Sequence, residues 1–463
     1  NSVGMGVDSD CTGLFHFDGS LNSHKGLTPT FTRDSVAYLS DGTQVTSGVP
    51  RFEAGKFGKG VLIEEGTTNI LLNPLFADAS NWDFYTDCGG VFTQSNGYGK
   101  ITVPATGFSF IRQAIAVTVA TGDKYTLTAK FKNNTTGRVG IRMVYGESPT
   151  EQIKADIFLD GTGGIKTVSA ILTATQAWSS ILCDVILGST YFADTASFSE
   201  FSFVQCEKKD YATSSINGTR AGEVLTVPTA GIFNRGAWTI SMVYTPTTSN
   251  TYWGRLFKLY IDDNNNILLI HNTLTGCLFL TGIGNGTAWA IYSTTPVVVG
   301  TQYTIAFSGD GVNVRLVING VEIGVTPYTE PVGTLPTYMY FGSDAGACYA
   351  NGIYDELRID KVCRTDAEIS GWYKANAPFY TSEDMKQWPG YMRAETDGVA
   401  IYDSEGKLRV KLGSWLVNLL RKYGLKIIGG EIYASVIQSG EEGATSYIRL
   451  GDIWEPLEVV ENG

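Results

Sequence analysis

Alternation of apolar and polar residues with a period of two runs through most of the chain and predicts β-strands. Clear stretches of this alternation are residues 125–131, 139–145, 237–244 and 312–318. Short turns rich in Gly and Asn separate them, and Asn319-Gly320 predicts a tight hairpin. Many short strands joined by such turns are typical of β-sandwiches, so we expect a mainly β protein.

Residues 56–76 mark the point where we expect one sandwich to be interrupted and a second to begin. Residues 57–63 predict a glycine turn that runs into a strand, and residues 68–76 predict another apolar strand, which stops at Asn73-Pro74. If the first sandwich is incomplete at this point, its remaining strands must follow later. We place the return of the chain near Thr213, after which further alternating stretches follow.

Two groups of residues around this insertion carry a resemblance to a known family. The leading group runs through 31–38, 48–53 and 62–69, and the trailing group contains Gln205-Cys206-Glu207 and Ala212-Thr213-Ser214. Together they resemble tail and fibre proteins of bacteriophages and prophages. In that family the pattern frames a jelly roll similar to carbohydrate-binding modules.

The strands outside the insertion resemble laminin-G-like, concanavalin A-like jelly rolls. The resemblance rests on the apolar stretch 13–17 before Asp18-Gly19, on the closing stretch 352–359, and on a helix that Thr365 and Glu368 start with a capping box. The fold class we expect is therefore a laminin-G-like β-sandwich jelly roll with an inserted carbohydrate-binding-module-like β-sandwich and a small β-rich C-terminal region.

These resemblances imply a division into five segments. We expect an N-terminal linker at 1–10, a discontinuous laminin-G-like jelly roll at 11–66 plus 212–378, an inserted jelly roll at 67–211, a linker at 379–395 and a C-terminal oligomerisation region at 396–463. In the last region the apolar stretch 414–423 is compatible with a small helix. The tail-protein resemblance implies a homotrimer.

Composition narrows the class of partner. The net charge of −12 argues against nucleic acid, which needs a basic surface. No stretch approaches the ~18 apolar residues of a membrane helix, so we expect no membrane insertion. Seven widely spread cysteines without a C-x-x-C pair favour free thiols in a reducing cytosol over a disulfide framework. We find no signal peptide, and the start at Asn1 leaves open that the chain is a fragment.

The sequence contains few of the residue patterns that are typical of catalytic sites. Histidine occurs only at His16, His24 and His271, which leaves no H-E-x-x-H motif. Glucanases of the related fold place two glutamates on one strand face, because retaining hydrolysis needs carboxyls ~5 Å apart. The acidic pairs here, Glu64-Glu65 and Asp355-Glu356, are adjacent and point to opposite faces of a strand. We therefore expect no enzyme, although a hydrolase with carboxylates from different strands stays open.

Aromatic residues supply the binding chemistry, because sugars stack their C–H faces on aromatic rings. The candidates in the inserted module are Trp82, Tyr85 and Trp178, and those in the outer module are Tyr252, Trp253 and Trp289. The alternative for each of them is a place in a hydrophobic core. Tyr292 follows the candidate Trp289 by three residues.

The resemblance also implies structural calcium, because jelly rolls of both families often hold it between the turn after the first strand and the last strand. The matching positions are Asp18 with Asp355 in the outer module and Asn73 with Glu207 in the insert. The alternative is surface carboxylates without metal.

The function implied is that of a phage tail fibre or receptor-binding protein that binds host cell-surface carbohydrate without cleaving it. Its partners would be the host glycan, copies of itself and other tail proteins, and its location the virion tail after assembly in the host cytoplasm. The alternatives are a virion-associated glycoside hydrolase acting on cell-wall polysaccharide and a purely structural tail protein.

Overall fold

The computed structural model describes residues 8–375, apart from 57, 78–79, 96, 105–106, 135–137, 146–151, 161–164, 189–196, 249–252 and 273–274, together with six strands between 391 and 449. The described part of the chain is mainly β, as predicted, with one helix, α1 at Asp366–Ala375. The described residues contain no helix that is long and apolar enough to cross a membrane. Residues Asn1–Asn376 and Ala377–Gly463 form separate compact units.

Strands are numbered in chain order. They are β1 Cys11–Phe15, β2 Thr30–Thr32, β3 Ala37–Tyr38, β4 Gln44–Val45, β5 Arg51–Ala54, β6 Lys59–Ile63, β7 Thr67–Thr68, β8 Asp83–Thr86, β9 Val91–Ser95, β10 Tyr98–Val103, β11 Ser109–Val119, β12 Lys124–Asn134, β13 Arg138–Tyr145, β14 Gln152–Asp160, β15 Lys166–Thr173, β16 Trp178–Leu187, β17 Ser197–Glu207, β18 Thr219–Arg220, β19 Val224–Pro228, β20 Trp238–Pro246, β21 Gly254–Asp262, β22 Asn265–Asn272, β23 Cys277–Gly284, β24 Thr287–Pro296, β25 Tyr303–Gly309, β26 Asn313–Ile318, β27 Val321–Pro327, β28 Tyr338–Phe341, β29 Gly352–Asp360, β30 Tyr391–Glu395, β31 Gly398–Tyr402, β32 Leu408–Val417, β33 Leu420–Ile427, β34 Val436–Gln438 and β35 Tyr447–Arg449.

Two antiparallel sheets form the outer sandwich. One has the order β27-β26-β25-β20-β29-β6-β5, with β1 also paired to β29, and the other has the order β2-β19-β28-β21-β22-β23-β24. Strands from both sides of the insertion therefore share each sheet. The core between the sheets likewise joins Phe15 and Ile63 from before the insertion to Trp238, Phe257 and Phe307 from after it.

Residues between β7 and β18 form the inner sandwich. Its two sheets have the orders β15-β12-β17-β10-β9 and β14-β13-β16-β11-β8. They enclose a core of their own, which includes Ile111, Leu127, Phe131, Ile141 and Val185. The predicted fold class of one sandwich inserted into another is confirmed. The period of two predicted the strands of both sandwiches, and the resemblance of the segments at 31–69 and 205–214 implied the insertion.

The chain passes between the sandwiches with little regular structure. The strand predicted over 68–76 is only the two-residue β7, which pairs with β18. The buried Asn69 explains this difference, because its side chain donates to the carbonyls of Val204 and Ile216 and accepts from the backbone N–H groups of Leu71 and Cys206. These bonds hold the crossing backbone in place of a sheet ladder.

Two local predictions at chain turns are confirmed. Thr365 and Glu368 exchange the capping-box hydrogen bonds at the start of α1, with the N–H of Thr365 2.8 Å from Oε2 of Glu368. Asn319 and Gly320 form the hairpin between β26 and β27 with positive φ angles of 52° and 73°. In both cases the required residues are close in sequence, so the sequence alone shows that they can form these contacts.

The second unit contains a four-stranded antiparallel sheet, β30 to β33 in order, and a two-stranded sheet of β34 and β35. The small helix considered over 414–423 is wrong, because this stretch contributes to β32 and β33, which pair from Val410 with Ile427 to Val417 with Leu420. An apolar run of this length is compatible with a helix and with a strand, so the sequence pattern did not distinguish the two structures. The linker predicted at 379–395 lies mostly outside the described residues.

Candidate functional site

An aromatic cluster lies on the outer face of the seven-stranded sheet and consists of Trp253, Phe279 and Tyr292; we call it the first face. Phe279 and Tyr292 stack with ring centroids 5.3 Å apart, and the ring of Trp253 meets Phe279 edge-on at 5.6 Å. Tyr292 is 65% exposed. Phe279 is only 5% exposed, so it supports the ring of Tyr292 from the sheet side, and Tyr292 is the ring that offers an apolar face and a phenol hydroxyl to solvent.

The sheet register builds this first face. Phe279 pairs with Tyr292 on one side and with Ile270 on the other, and Ile270 pairs with Arg255. Four strands therefore place these side chains in one row on the side away from the core. Arg255 also donates from Nη1 to the carbonyl oxygen of Trp253 at 3.3 Å, which ties the turn before β21 to the row.

Charged groups continue along the same face. Arg255 pairs with Ile270 of β22, and Lys258 pairs with Leu268 of the same strand. Because Leu268 and Ile270 are two residues apart, their partners Arg255 and Lys258 lie on the same face of the sheet. The ammonium of Lys258 binds the carboxylate of Asp344 and lies 4.6 Å from the centre of the Tyr260 ring. Aromatic rings beside such hydrogen-bonding groups form the combination that orients a polyhydroxylated ligand.

A second face lies on the inner sandwich, on the sheet that contains β8, β11, β16 and β13. The rings of Tyr85 and Phe110 stack at 4.8 Å, and the guanidinium of Arg112 lies 5.2 Å from the centre of Phe110. Arg112 and Arg142 both donate to the fully buried carboxylate of Asp184. Nε of Arg112 lies 2.7 Å from Oδ1, and Nε of Arg142 lies 2.7 Å from Oδ2. The shared carboxylate fixes both guanidinium planes beside the aromatic rings.

The structure separates the predicted aromatic residues into two groups. Trp253 belongs to the first face, and Tyr85 belongs to the second face with 44% of its surface exposed. Trp178 is partly buried at the start of β16 and packs against the inner core. Tyr252 lies outside the described residues.

Trp82 and Trp289 are core residues with exposures of only 6% and 7%, so neither offers an open ring face. Trp82 packs against Phe76 at 5.4 Å and donates from Nε1 to the carbonyl of Asn73. Trp289 meets Tyr328 at 5.7 Å. Neither tryptophan is a stacking platform, because a sugar cannot reach a ring that protein atoms cover.

Sequence reasoning missed the residues that complete the two faces, among them Phe279, Phe110 and Arg112. A usable signal was present in β24, where Trp289 and Ile291 occupy alternate positions and Tyr292 is out of phase with both. If Trp289 is assigned to the core, Tyr292 must point outward. No comparable signal reveals that Phe110 and Arg112 meet Tyr85, because the register of β8 on β11 decides that contact.

The predicted calcium positions are occupied by protein hydrogen bonds. Asp18 and Asp355 accept from the backbone N–H groups of Lys59 and Lys56, at 3.0 and 2.9 Å, and so hold the turn between β5 and β6. Glu207 accepts from the hydroxyls of Thr67 and Thr213, both at 2.7 Å.

Asn73, the remaining predicted ligand, bonds to backbone atoms of its own loop. Calcium takes about six to eight oxygen ligands. Among the described residues, no group of three or more His, Cys, Asp or Glu residues is arranged to hold a metal ion. The residues present therefore fit calcium poorly.

Two residues of the acidic pairs, Glu64 and Glu356, contact basic side chains. Burial alone would raise the pKa of Glu64, but the charges of Arg220 and Arg51 outweigh it and lower this pKa to about 2. Glu356 accepts from Nδ1 of His16 at 2.8 Å, and this hydrogen bond raises the pKa of His16. These contacts give both carboxylates a structural role. All seven cysteines are free.

Solved structures similar to the chain include domain 4 of AbnA, a GH43 extracellular arabinanase from Geobacillus stearothermophilus in complex with arabinotriose, at 21% identity and a TM-score of 0.30 over 35% of this chain and 80% of that one. Another is the CBM40 of the Ruminococcus gnavus IT-sialidase bound to α2,3-sialyllactose, at 14% identity and a TM-score of 0.26 over 29% of this chain and 80% of that one. Likenesses this distant support no functional argument.

A sequence search against curated proteins gave no match. A comparison with models of protein families gave one match. Residues 217–370, about one third of the chain, match the laminin-G-type model described as the concanavalin A-like lectin/glucanases superfamily, which confirms the laminin-G-like prediction for the outer sandwich.

Proposed function

We propose that the protein binds carbohydrate without cleaving it and that the first face is its principal binding surface. The observation that carries this proposal is the cluster of Trp253, Phe279 and Tyr292, which presents the 65% exposed ring of Tyr292 and lies inside the stretch 217–370 that matches the lectin and glucanase superfamily. The exposed ring of Tyr292, stacked on Phe279 and in one row with Arg255, suits the C–H face and hydroxyls of a sugar.

We propose further that the protein acts as the receptor-binding component of a phage tail. Support comes from the sequence pattern around the insertion, at 31–69 and 205–214. Two sandwiches with one aromatic face each would give every chain two weak sites. A trimer held by the C-terminal region would multiply them, because linked weak sites bind with high avidity. The partners would then be a host cell-surface glycan and other tail proteins, and the location the virion tail.

A glycan array with the full chain tests the binding proposal. Tyr292→Ala should lower the signal for the preferred glycan roughly tenfold, because one stacking contact is worth about 1.4 kcal/mol. The matched control is Tyr338→Ala, which removes a 41% exposed tyrosine from β28 of the same sheet, outside the first face. Arrays that stay blank with the intact oligomer, together with absent host-cell binding, would refute the proposal.

The glycoside-hydrolase alternative keeps some support, because the matching family model covers glucanases as well as lectins. Incubation of host envelopes with the protein separates the two functions. Release of new reducing ends would favour the hydrolase, and binding without release would favour the adhesin. Unaltered adsorption of particles carrying Tyr85→Ala and Tyr292→Ala together would favour a purely structural tail protein.

A further inference from the structure

A cleft of about 280 Å³ lies between the two sandwiches, away from both aromatic faces. Its inner wall is the sheet formed by β12, β17 and β10, and its outer wall is the hairpin of β3 and β4. The lining side chains that matter for its chemistry are Tyr38, Asp41, Tyr98, Lys130 and Lys132. A volume near the lower end of known ligand pockets suits one or two sugar rings better than a long chain.

The inner wall presents two ammonium groups on one side. Lys130 and Lys132 both line the cleft and are two residues apart on β12, whose pairing with β17 is irregular at this point. The ammonium of Lys132 lies 3.8 Å from the centre of the Tyr98 ring, at the start of β10. A lysine held over a tyrosine ring keeps its charge in a defined place at the mouth of the cleft.

The outer wall is held from both sandwiches. Ser40, in the turn after β3, donates from its N–H and its hydroxyl to the carboxylate of Glu53, at 2.6 and 2.7 Å. The ammonium of Lys130 donates to the carbonyl of the same Ser40 at 2.6 Å. Because β5 and β12 both anchor this turn, the cleft is formed before any ligand arrives, which reduces the ordering entropy of binding.

The charge of the cleft is opposite to that of the protein. The net charge of the chain is −12, yet this cleft has two lysines and one carboxylate among its lining residues. That carboxylate, Asp41, accepts the N–H of Thr43 at 2.8 Å within its own turn. An anionic group of a ligand would therefore meet a local excess of positive charge.

We propose that this cleft binds an acidic sugar residue of the uronic-acid type. The carboxylate of the sugar lies between the ammonium groups of Lys130 and Lys132, and its C–H face packs against the tyrosine rings of Tyr38 and Tyr98. The site is separate from the first and second faces and does not depend on the neutral-sugar stacking proposed there. It gives the protein a means to distinguish acidic from neutral glycans.

Calorimetric titration of the full chain with sodium glucuronate and with glucose tests the proposal. Glucuronate should bind roughly tenfold more tightly than glucose, and Lys132→Gln should remove most of that difference, because a hydrogen bond to a charged group is lost. Lys132 is exposed, so this variant should keep the wild-type Tm. Added sodium chloride should weaken the binding of glucuronate and leave that of glucose unchanged.

Lys100→Gln is the matched control. Lys100 also lies over an aromatic ring, 4.2 Å from the centre of Phe198, and pairs with Glu200 at 3.4 Å, on the same sheet but outside the cleft. Its loss should leave the affinity for glucuronate unchanged. Equal affinities for glucuronate and glucose, an equal effect of Lys100→Gln and Lys132→Gln, or loss of glucuronate binding in Tyr292→Ala would each overturn the proposal.

Discussion

Arg51 and Glu223, 172 residues apart in the chain, form a buried, two-pronged ion pair at the base of the insertion, with Nε–Oε1 at 2.8 Å and Nη2–Oε2 at 2.6 Å. Arg51 also donates to Glu64, Arg33 donates to Glu223, and Arg220 donates to Glu64. We call these five residues the junction network. It closes the outer sandwich across the 67–211 insertion, since Arg33, Arg51 and Glu64 precede it and Arg220 and Glu223 follow.

The junction network predicts a large effect of removing one charge. Glu223→Gln should lower the free energy of unfolding by about 3–5 kcal/mol, because it leaves the guanidinium groups of Arg33 and Arg51 buried without their full counter-charge. Urea denaturation followed by tryptophan fluorescence measures this change. The matched control is Glu322→Gln, which breaks a partly exposed pair with Arg315 at 3.1 Å and should change stability by about 1 kcal/mol or less. Equal effects of the two variants would contradict a central role for the network.

Buried His271 predicts a pH dependence of stability. Burial lowers its pKa from 6.5 to about 4, and the nearby backbone of Gly276 opposes this shift only partly. Between these two values the unfolded chain binds a proton that the folded chain does not. The stabilisation is therefore complete above pH 6.5 and is lost as the pH falls towards 4, by an amount on the order of 3 kcal/mol.

Urea denaturation at pH 7 and at pH 4.5 measures this loss. His271→Leu should flatten the dependence in this window, whereas His24→Leu, at an exposed histidine, should leave it as in the wild type. A His271→Leu variant with the wild-type dependence would assign the effect to other groups.

The two aromatic faces predict graded loss of binding. Tyr85→Ala and Tyr292→Ala should each weaken attachment to host cells partly, and the double variant should abolish it, because avidity depends on the number of sites. Both tyrosines are more than two fifths exposed, so the Tm of each variant should stay near the wild-type value. Attachment that disappears with Tyr292→Ala and is untouched by Tyr85→Ala would restrict binding to the first face.

The poor fit of the described residues to calcium predicts that chelation has no effect on stability. Addition of EDTA to the purified protein should leave its Tm unchanged, and added calcium should not raise it, because only a ligand that binds the folded state shifts the Tm. Asp355→Asn serves as a companion variant. A drop in Tm on chelation that is absent from Asp355→Asn would establish calcium at the turn between β5 and β6.

The C-terminal region predicts the oligomeric state. Truncation after Pro378 should convert the proposed trimer into a monomer, because short strands such as those between 391 and 449 can hardly bury a core without copies of themselves. Size-exclusion chromatography with light scattering measures the mass of both forms. A truncated protein with unchanged stoichiometry would place the oligomer contact in the first unit instead.

The sequence by itself determined the mainly β class, the insertion of one sandwich into another, the capping box at Thr365 and the hairpin at Asn319. The class, the capping box and the hairpin follow from local chemistry or from a period-two pattern that any strand shows, whereas the insertion followed from the resemblance of the segments that flank it. The period assigns alternate residues to opposite faces, but it does not say which face a second sheet will cover. Trp82 and Trp289 therefore passed as surface candidates although the cores enclose them.

Only the tertiary structure decided which side chains meet. The contact of Tyr292 with Phe279 depends on the register of β24 on β23, and that of Tyr85 with Phe110 on the register of β8 on β11. The junction network depends on the tertiary structure even more strongly, because Glu64 pairs with Arg220 only when the chain returns after the insertion. Ionic partners so far apart in sequence leave no local pattern, since the packing of both sandwiches brings them together.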